Sequence, residues 1–308
     1  MNDRMSALDT GAVVNPGWYR FKLGSFEITV VSDGPMPLKP PSSGFSDAPL
    51  DEVDALLAEN FLPTDQLLLG MNALVINTGE HVVLVDTGMG ESMGELSHMF
   101  GPSTCHLLAS LAAAGYRPED IDVVAITHAH PDHCWGLVGE SGNRVFPNAQ
   151  VAIAQEELDY WLDTNNRSVS YFAEVCVDGA IKNLTPYLDL LIVVRDGEEV
   201  VPGIKALLCA GHSPGHSGYV ISSGSDVLVT TGDLAHHHIL AMKHPEWRIS
   251  YDTYPDMAVQ SRRRIFDMLA DQKLLTHGYH FPWPGLGHVV KDGGGYRWIA
   301  APAYTYLV

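Results

Sequence analysis

Apolar positions along this chain fall in short alternating or β-branched blocks, separated by Gly, Pro and polar turns. Trp18–Leu23 and Phe26–Val31, joined at Gly24-Ser25, predict a hairpin. Met71–Asn77 and His81–Val85 predict a second, turning at Thr78-Gly79-Glu80. Ile121–Ile126 is short, β-branched and apolar, as a buried strand is, and Pro131 favours a turn soon after it. Val151–Ala154, Lys205–Ala210, Val220–Ser222 and Val227–Thr231 predict further strands. Helical spacing is expected near Asp51–Glu59, over Thr104–Ala114 with Ser103 as cap and Gly115 as stop, over Gln155–Leu162, and around Tyr171–Val175. In the second of these, Leu107, Leu108, Leu111 and Ala112 are expected to face a sheet. Residues 35–66 interrupt the strands with a proline-rich stretch, whose Phe45, Leu50, Leu56, Leu57, Phe61 and Leu62 either form an apolar lid or pack on the sheet. The chain is expected to be one domain over 1–308, with a loose arm at 1–16 and a lid insertion at 35–66.

Chemistry-bearing residues gather where predicted strands end. Thr127-His128-Ala129-His130-Pro131-Asp132-His133 puts three histidines and a carboxylate within six residues, on a loop after the 121–126 strand. His and Asp are ordinary ligands of a zinc-type ion, and α/β folds keep their chemistry at such strand ends. Three more polar stations follow in the second half: Gly211-His212-Ser213-Pro214-Gly215-His216, then Gly232-Asp233, then His277-Gly278-Tyr279-His280-Phe281-Pro282-Trp283-Pro284-Gly285. No Gly-x-Ser-x-Gly elbow competes with them.

His128-x-His130-x-Asp132-His133 resembles the signature of the metallo-β-lactamase superfamily of binuclear metallohydrolases. The later stations follow the order of that superfamily, and Val85-Asp86-Thr87-Gly88 resembles its strand-end Asp, which supports the site from behind. The stretch from Phe21 to Gly34 is similar to the opening of the methyl parathion hydrolase-like and acyl-homoserine lactonase branch. The resemblance implies an αββα sandwich, two mixed β-sheets face to face with helices on both outer faces. It implies one metal on His128, His130 and His212, a second on Asp132, His133 and His280, and Asp233 bridging both. His280 is preferred to His277 because it precedes the Phe-Pro-x-Pro-Gly turn of that branch. His216 is expected to orient its loop, and His288 to be structural or to line the pocket. Lactonases of a neighbouring branch carry a Tyr shortly after the bridging Asp. Here Leu234-Ala235-His236-His237-His238 stands in its place, so His236 or His238 is the expected proton donor beside Asp132 and Asp233, with Tyr251 and Tyr254 as later substitutes.

The implied cofactor is a pair of divalent ions, Zn²⁺ first, with Mn²⁺, Co²⁺ or Fe²⁺ also suited to nitrogen and oxygen ligands. Cys134 adjoins the ligands, departs from the Cys ligand of some lactamases, and reads as a small buried residue. The implied reaction is opening of a lactone, an N-acyl-homoserine lactone in the first instance, by a hydroxide shared between the ions. Phosphotriester hydrolysis is the alternative. A hydroxyacyl-thioester hydrolase and a non-catalytic metal-binding protein are weaker ones. With 18 Lys+Arg against 37 Asp+Glu the net charge is −19, which repels a phosphate backbone and argues against a nucleic-acid partner. Cys105, Cys134, Cys176 and Cys209 lie far apart, as free thiols in a reducing compartment would. No apolar run reaches the length of a membrane helix, and the N-terminus carries no apolar leader core. Cytoplasm is the expected compartment, although a leader already removed would leave the same sequence. The aromatic run Tyr296, Trp298, Tyr304 and Tyr306 fits a homodimer, which the resemblance also leads one to expect.

Overall fold

The opening alternation becomes an edge hairpin. In this computed structural model, which describes residues 15–98 and 100–304, β1 (Trp18–Leu23) pairs antiparallel with β2 (Phe26–Ser32). Its turn needs glycine: Gly24 has φ +57°, and a Cβ there would lie 2.4 Å from the Ser223 carbonyl oxygen. After a small ribbon of β3 (Met36–Leu38) and β4 (Leu67–Leu69), β5 (Asn72–Asn77) and β6 (Val82–Val85) extend the first sheet. It continues through β7 (Val123–Ala125), β8 (Gln150–Ala154) and β9 (Leu191–Val194), with β6 to β9 parallel.

The second sheet takes β10 (Glu199–Val201), β11 (Ile204–Leu208), β12 (Ser217–Ser223), β13 (Asp226–Thr230), β14 (Leu275–His277), β15 (Leu286–Asp292) and β16 (Gly295–Ala300) in that spatial order. Only β13 and β14 are parallel within it.

The period of two explains how the layers stack. Val83, Val85, Val123 and Ala125 join Ile204, Tyr219, Ile221 and Leu228 in one buried cluster between the sheets, whereas Leu84 and Val124 face the opposite way into the outer core. Each fully buried Val, Leu or Ile contributes roughly 1.5–3 kcal/mol to holding these layers together. The outer faces carry α1 (Leu50–Glu59), α2 (Leu107–Ala113), the one-turn α3 (Pro131–Cys134), α4 (Gln155–Trp161), α5 (Tyr171–Leu184), the short α6 (Leu240–Lys243) and α7 (Pro255–Gln272). Helix α2 packs on β1 and β2, α4 on β8, and α7 on β15. The αββα expectation therefore describes the molecule.

Several local expectations change. Helix α2 starts at Leu107 without a side-chain cap from its own segment, because Cys105 stands at φ +68°. The Asp33 carboxylate receives the Leu107 N–H instead, at 2.8 Å, and the Met89 N–H at 2.9 Å. Leu107, Ser110 and Leu111 face inward, while Leu108 is exposed. Helix α5 runs nine residues beyond Val175 to Leu184, with Ser170 accepting the Ala173 N–H as its N-cap. Helix α7 has no counterpart in the pattern above. Phe45 and Leu57 are buried, whereas Leu50 and Phe61 are exposed; none of the six named residues lines the cavity described below, but Met36, Pro37 and Leu38 of the same stretch do. The expected arm falls mostly in residues 1–14, and Tyr306 in 305–308, outside the described residues. No helix among the described residues is long and apolar enough to cross a membrane.

Asp33 carries a measurable consequence. Burial pushes its carboxyl up to about 6 against backbone hydrogen bonds that favour the ionised form. The folded chain then takes up this proton near pH 6, and the unfolded chain only near the ordinary 3.8. Between those values the folded state holds more protons, so this contribution to stability grows as pH falls and is lost as pH rises through about 6. In urea melts, the stability of the metal-free parent relative to Asp33→Asn should be about 1.4 kcal/mol higher at pH 5 than at pH 8. An equal difference at both pH values would contradict the assignment.

Candidate metal centre

The cluster hangs from the carboxyl ends of strands in both sheets. β7 ends at Ala125, and Thr127 then anchors the first loop by giving its N–H (2.8 Å) and hydroxyl (2.9 Å) to the Asp86 carboxylate. Asp86 sits just past β6 at φ +63°, a left-handed conformation that costs a non-glycine residue about 1–2 kcal/mol. Pro131 does not merely turn the chain: it opens α3, so Asp132 and His133 lie on a helical turn rather than on a loop. In the second sheet, His212 follows β11, Asp233 follows β13 and His280 follows β14.

These loops bring the seven expected ligands together. His212 Nε2 lies 3.1 Å from His128 Nε2 and 2.9 Å from His130 Nδ1. Asp233 Oδ2 is 3.3 Å from His212 Nε2 and 3.1 Å from His280 Nε2, while Oδ1 is 3.1 Å from His133 Nε2. Asp132 Oδ2 is 3.4 Å from His280 Nε2 and 3.5 Å from His133 Nε2. Two compact ligand groups result, His128-His130-His212 and Asp132-His133-His280, and Asp233 joins His128 and His133 in a third and His212 and His236 in a fourth. All seven side chains are buried.

The donor set fits two divalent ions. Asp132 Oδ2, His133 Nε2 and Asp233 Oδ1 are buried without a hydrogen-bond partner, a state that ligation would relieve. Three imidazole nitrogens about 3 Å apart likewise call for a cation among them. The electrostatics divide the set: against burial, Asp233 and its neighbouring carboxylates raise His133, His280 and, to about 9, His212, so an ion there would displace protons. Burial, and then the neighbouring histidines, hold His128 and His130 well below the usual histidine range, so they are neutral lone-pair donors. Burial opposes ionisation of Asp233 and Asp132, but the surrounding histidines outweigh it, taking Asp132 down to about 2 and Asp233 well below the carboxylate range. Cys134 is no ligand: it is buried, burial pushes its thiol far up, and it joins neither group.

The remaining predicted residues separate. His236 Nε2 is 3.1 Å from Asp233 Oδ2, and its ring stacks on His280 at 4.9 Å. His238 instead lies 6.2 Å from Phe281 and borders neither the ligand groups nor the cavity. His237 accepts the Leu240 N–H and starts α6. His216 accepts the Asp233 N–H at 3.0 Å, an arrangement that needs Gly232, whose added Cβ would lie 2.6 Å from His216 Nε2. His277 bonds Thr230 and His288 bonds the Leu274 carbonyl, away from the ligands. Tyr254 is exposed, while Tyr251 lines the cavity. That cavity opens onto His130, Asp132, His212, Asp233, His236 and His280, and its apolar wall is Met36, Pro37, Leu38, Phe100 and Phe172.

Three buried residues behind the ligands carry no motif. Glu157 accepts from Ala129 N (2.9 Å), Gly215 N (2.7 Å) and the Ser213 hydroxyl, tying the His128–His130 loop to the His212 loop. Asp252 receives His212 Nδ1 at 2.9 Å, and Arg262 lies behind Asp252. Glu157 reads as a surface acid at a helix start and Arg262 as one of three consecutive arginines, so only long-range packing reveals either.

A family model described as the metallo-beta-lactamase superfamily matches residues 68–276. An N-acyl homoserine lactonase of Bacillus cereus is 27% identical over 179 residues, a match spanning 54% of this chain and 64% of that protein. One of Bacillus thuringiensis is 25% identical over 234 residues, 71% of this chain and 84% of that protein. Among solved structures, the dizinc quorum-quenching lactonase AidC, in complex with a product, is 30% identical at a TM-score of 0.87, covering 94% of this chain and 99% of that one. The hydrolase AbOPH is 29% identical at a TM-score of 0.85, with the same coverage.

Proposed function

Because the chain belongs to the metallo-beta-lactamase superfamily, we propose that it is a binuclear metal-dependent hydrolase that opens a lactone ester, an N-acyl-homoserine lactone in the first instance. The observation that carries this reading is the convergence of His128, His130, Asp132, His133, His212, Asp233 and His280, five of which (His130, Asp132, His212, Asp233 and His280) line a cavity with an apolar wall. Similarity to AidC over nearly the whole chain supports the substrate class. Zinc is the proposed metal on this histidine- and carboxylate-rich set without thiolate.

When bound, the ions would supply an activated water and polarise the scissile carbonyl. The chain's own residues set the geometry. Asp233 faces both ligand groups, Oδ1 towards His133 and Oδ2 towards His212 and His280, and the Tyr279 hydroxyl steadies the Asp132 main-chain carbonyl at 2.6 Å. Met36, Leu38, Phe100 and Phe172 exclude water and suit an acyl chain. Burial holds His236 down to about 4 against the pull of Asp233, so its neutral ring can steady the departing alkoxide by a hydrogen bond while the alkoxide takes its proton from solvent. His236→Phe is expected to lower kcat by about 10²-fold while two metals stay bound, measured by lactone turnover with metal analysis. Unchanged kcat would remove His236 from the reaction.

The overall reading is tested with zinc- or manganese-loaded protein on a long-chain acyl-homoserine lactone, with a phosphotriester in parallel. Lactone turnover at about 10⁴ M⁻¹s⁻¹ or above is expected. Silence on the lactone with strong phosphotriester cleavage would replace the substrate class, and silence on both would overturn it. The cytoplasmic location and the homodimer belong to the same reading. Of the aromatic run, Tyr304 is exposed and supports an interface, whereas Tyr296 is buried and Trp298 packs on Phe281; light scattering in solution measures the mass.

A further inference from the structure

Two histidines of the cluster turn their far ring nitrogen towards a carboxylate: His133 towards Asp86 and His212 towards Asp252, each at 2.9 Å. Asp86 is held by the neutral donors of Thr127. Asp252, in the loop before α7, is held differently. Its side chain is fully buried, Oδ2 accepts the Ile249 N–H at 3.3 Å, and the same oxygen faces Arg262 Nη2 at 3.6 Å.

Arg262 is fully buried too. Its Nε donates to the Leu234 carbonyl at 2.7 Å, and Nη1 to the Pro245 and Trp247 carbonyls at 2.9 Å each. Burying a guanidinium costs several kcal/mol unless it is paired and hydrogen-bonded, so filling space does not explain it. Its contacts do more: one guanidinium grips the residue after Asp233 and faces the carboxylate behind His212. Two elements of the cluster, distant in sequence, are thereby fixed to a single point on α7.

We propose that Asp252, anchored by Arg262, is a positioning residue for the first metal: it accepts the Nδ1 proton of His212 and so commits the Nε2 lone pair to the ion. The role rests on reading His212 as a ligand. It predicts an asymmetric effect, since His133 and His280 have their own partners in Asp86 and the Gly70 carbonyl.

The test is Co²⁺ titration of the folded parent, Asp252→Ala and Asp252→Asn, followed by visible absorption and by competition with a chelator. The parent is expected to take two ions. Asp252→Ala should bind one of them about 10- to 100-fold more weakly, with an altered band for that ion and the other unchanged. Asp252→Asn retains an acceptor oxygen and should recover part of the loss, remaining about tenfold weaker than the parent. Parent-like affinities and spectra in Asp252→Ala, or equal weakening of both ions, overturn the proposal. If Asp252→Ala does not fold, Asp252→Asn decides on the same criteria. A parent that takes no ion overturns the metal reading itself, and this outcome is distinct because it needs no variant.

Discussion

Asp233→Ala is expected to abolish turnover while leaving the fold in place. Both of its oxygens face ligand groups, Oδ1 towards His133 and Oδ2 towards His212 and His280. Alanine leaves each group one ligand short and removes the charge that joins them. The expected loss in kcat is at least about 10³-fold, equivalent to about 4 kcal/mol of barrier, with fewer than two metals retained after dialysis. Circular dichroism should match the parent, because the neighbouring β13 is held by β12 and β14 and not by this side chain. A variant that keeps two ions and turns over within tenfold of the parent would sink the bridging role.

Glu157→Ala should give the largest loss of stability. The carboxylate is fully buried and takes hydrogen bonds from Ala129, Ser213 and Gly215. Alanine strands those three donors out of reach of water, at about 1–3 kcal/mol each before relaxation. A net loss of roughly 3–5 kcal/mol is expected, seen as a fall in Tm of about 5–8 °C. Metal retention should fall with it, because His128, His130 and His212 lose their common anchor. Glu157→Gln keeps one acceptor and turns an amide against a donor, so it should fall between the two. Parent-like melting of Glu157→Ala would show that the loops hold their register unaided.

The strands and the first His/Asp cluster were legible in the sequence because both depend on short-range pattern, whereas His212, Asp233 and His280 were expected only from the resemblance to a family. Alternation at Trp18–Leu23 or His81–Val85 is written in neighbouring residues, and the His-x-His-x-Asp-His spacing is local as well. Elements settled by distant partners were not. Helix α2 begins where Asp33, 74 residues earlier, receives the Leu107 N–H. Helix α7 interrupts its buried stripe of Ala258, Ile265, Phe266 and Leu269 with Ser261 and Arg262, and that buried arginine stands beside Arg263 and Arg264, which reach exposed partners. Nothing in that triplet marks which arginine points inward. His236 and His238 are equally placed by sequence, and only the fold turns one towards Asp233 and the other towards Phe281. Motif reading finds the groups that hold an ion, and the third dimension finds the groups that hold those groups.

The ligands are divided between the sheets: His128, His130, Asp132 and His133 follow a strand of the first, whereas His212, Asp233 and His280 follow strands of the second. On the proposed reading, a bound ion is therefore a reversible cross-link across the seam of the molecule. Its uptake during refolding would be limited by docking of the two halves rather than by formation of either. Chelation, in turn, would expose the seam to proteases before it melted the sheets. Ion occupancy would then act as a clock for maturation, marking when the two halves of the chain have met.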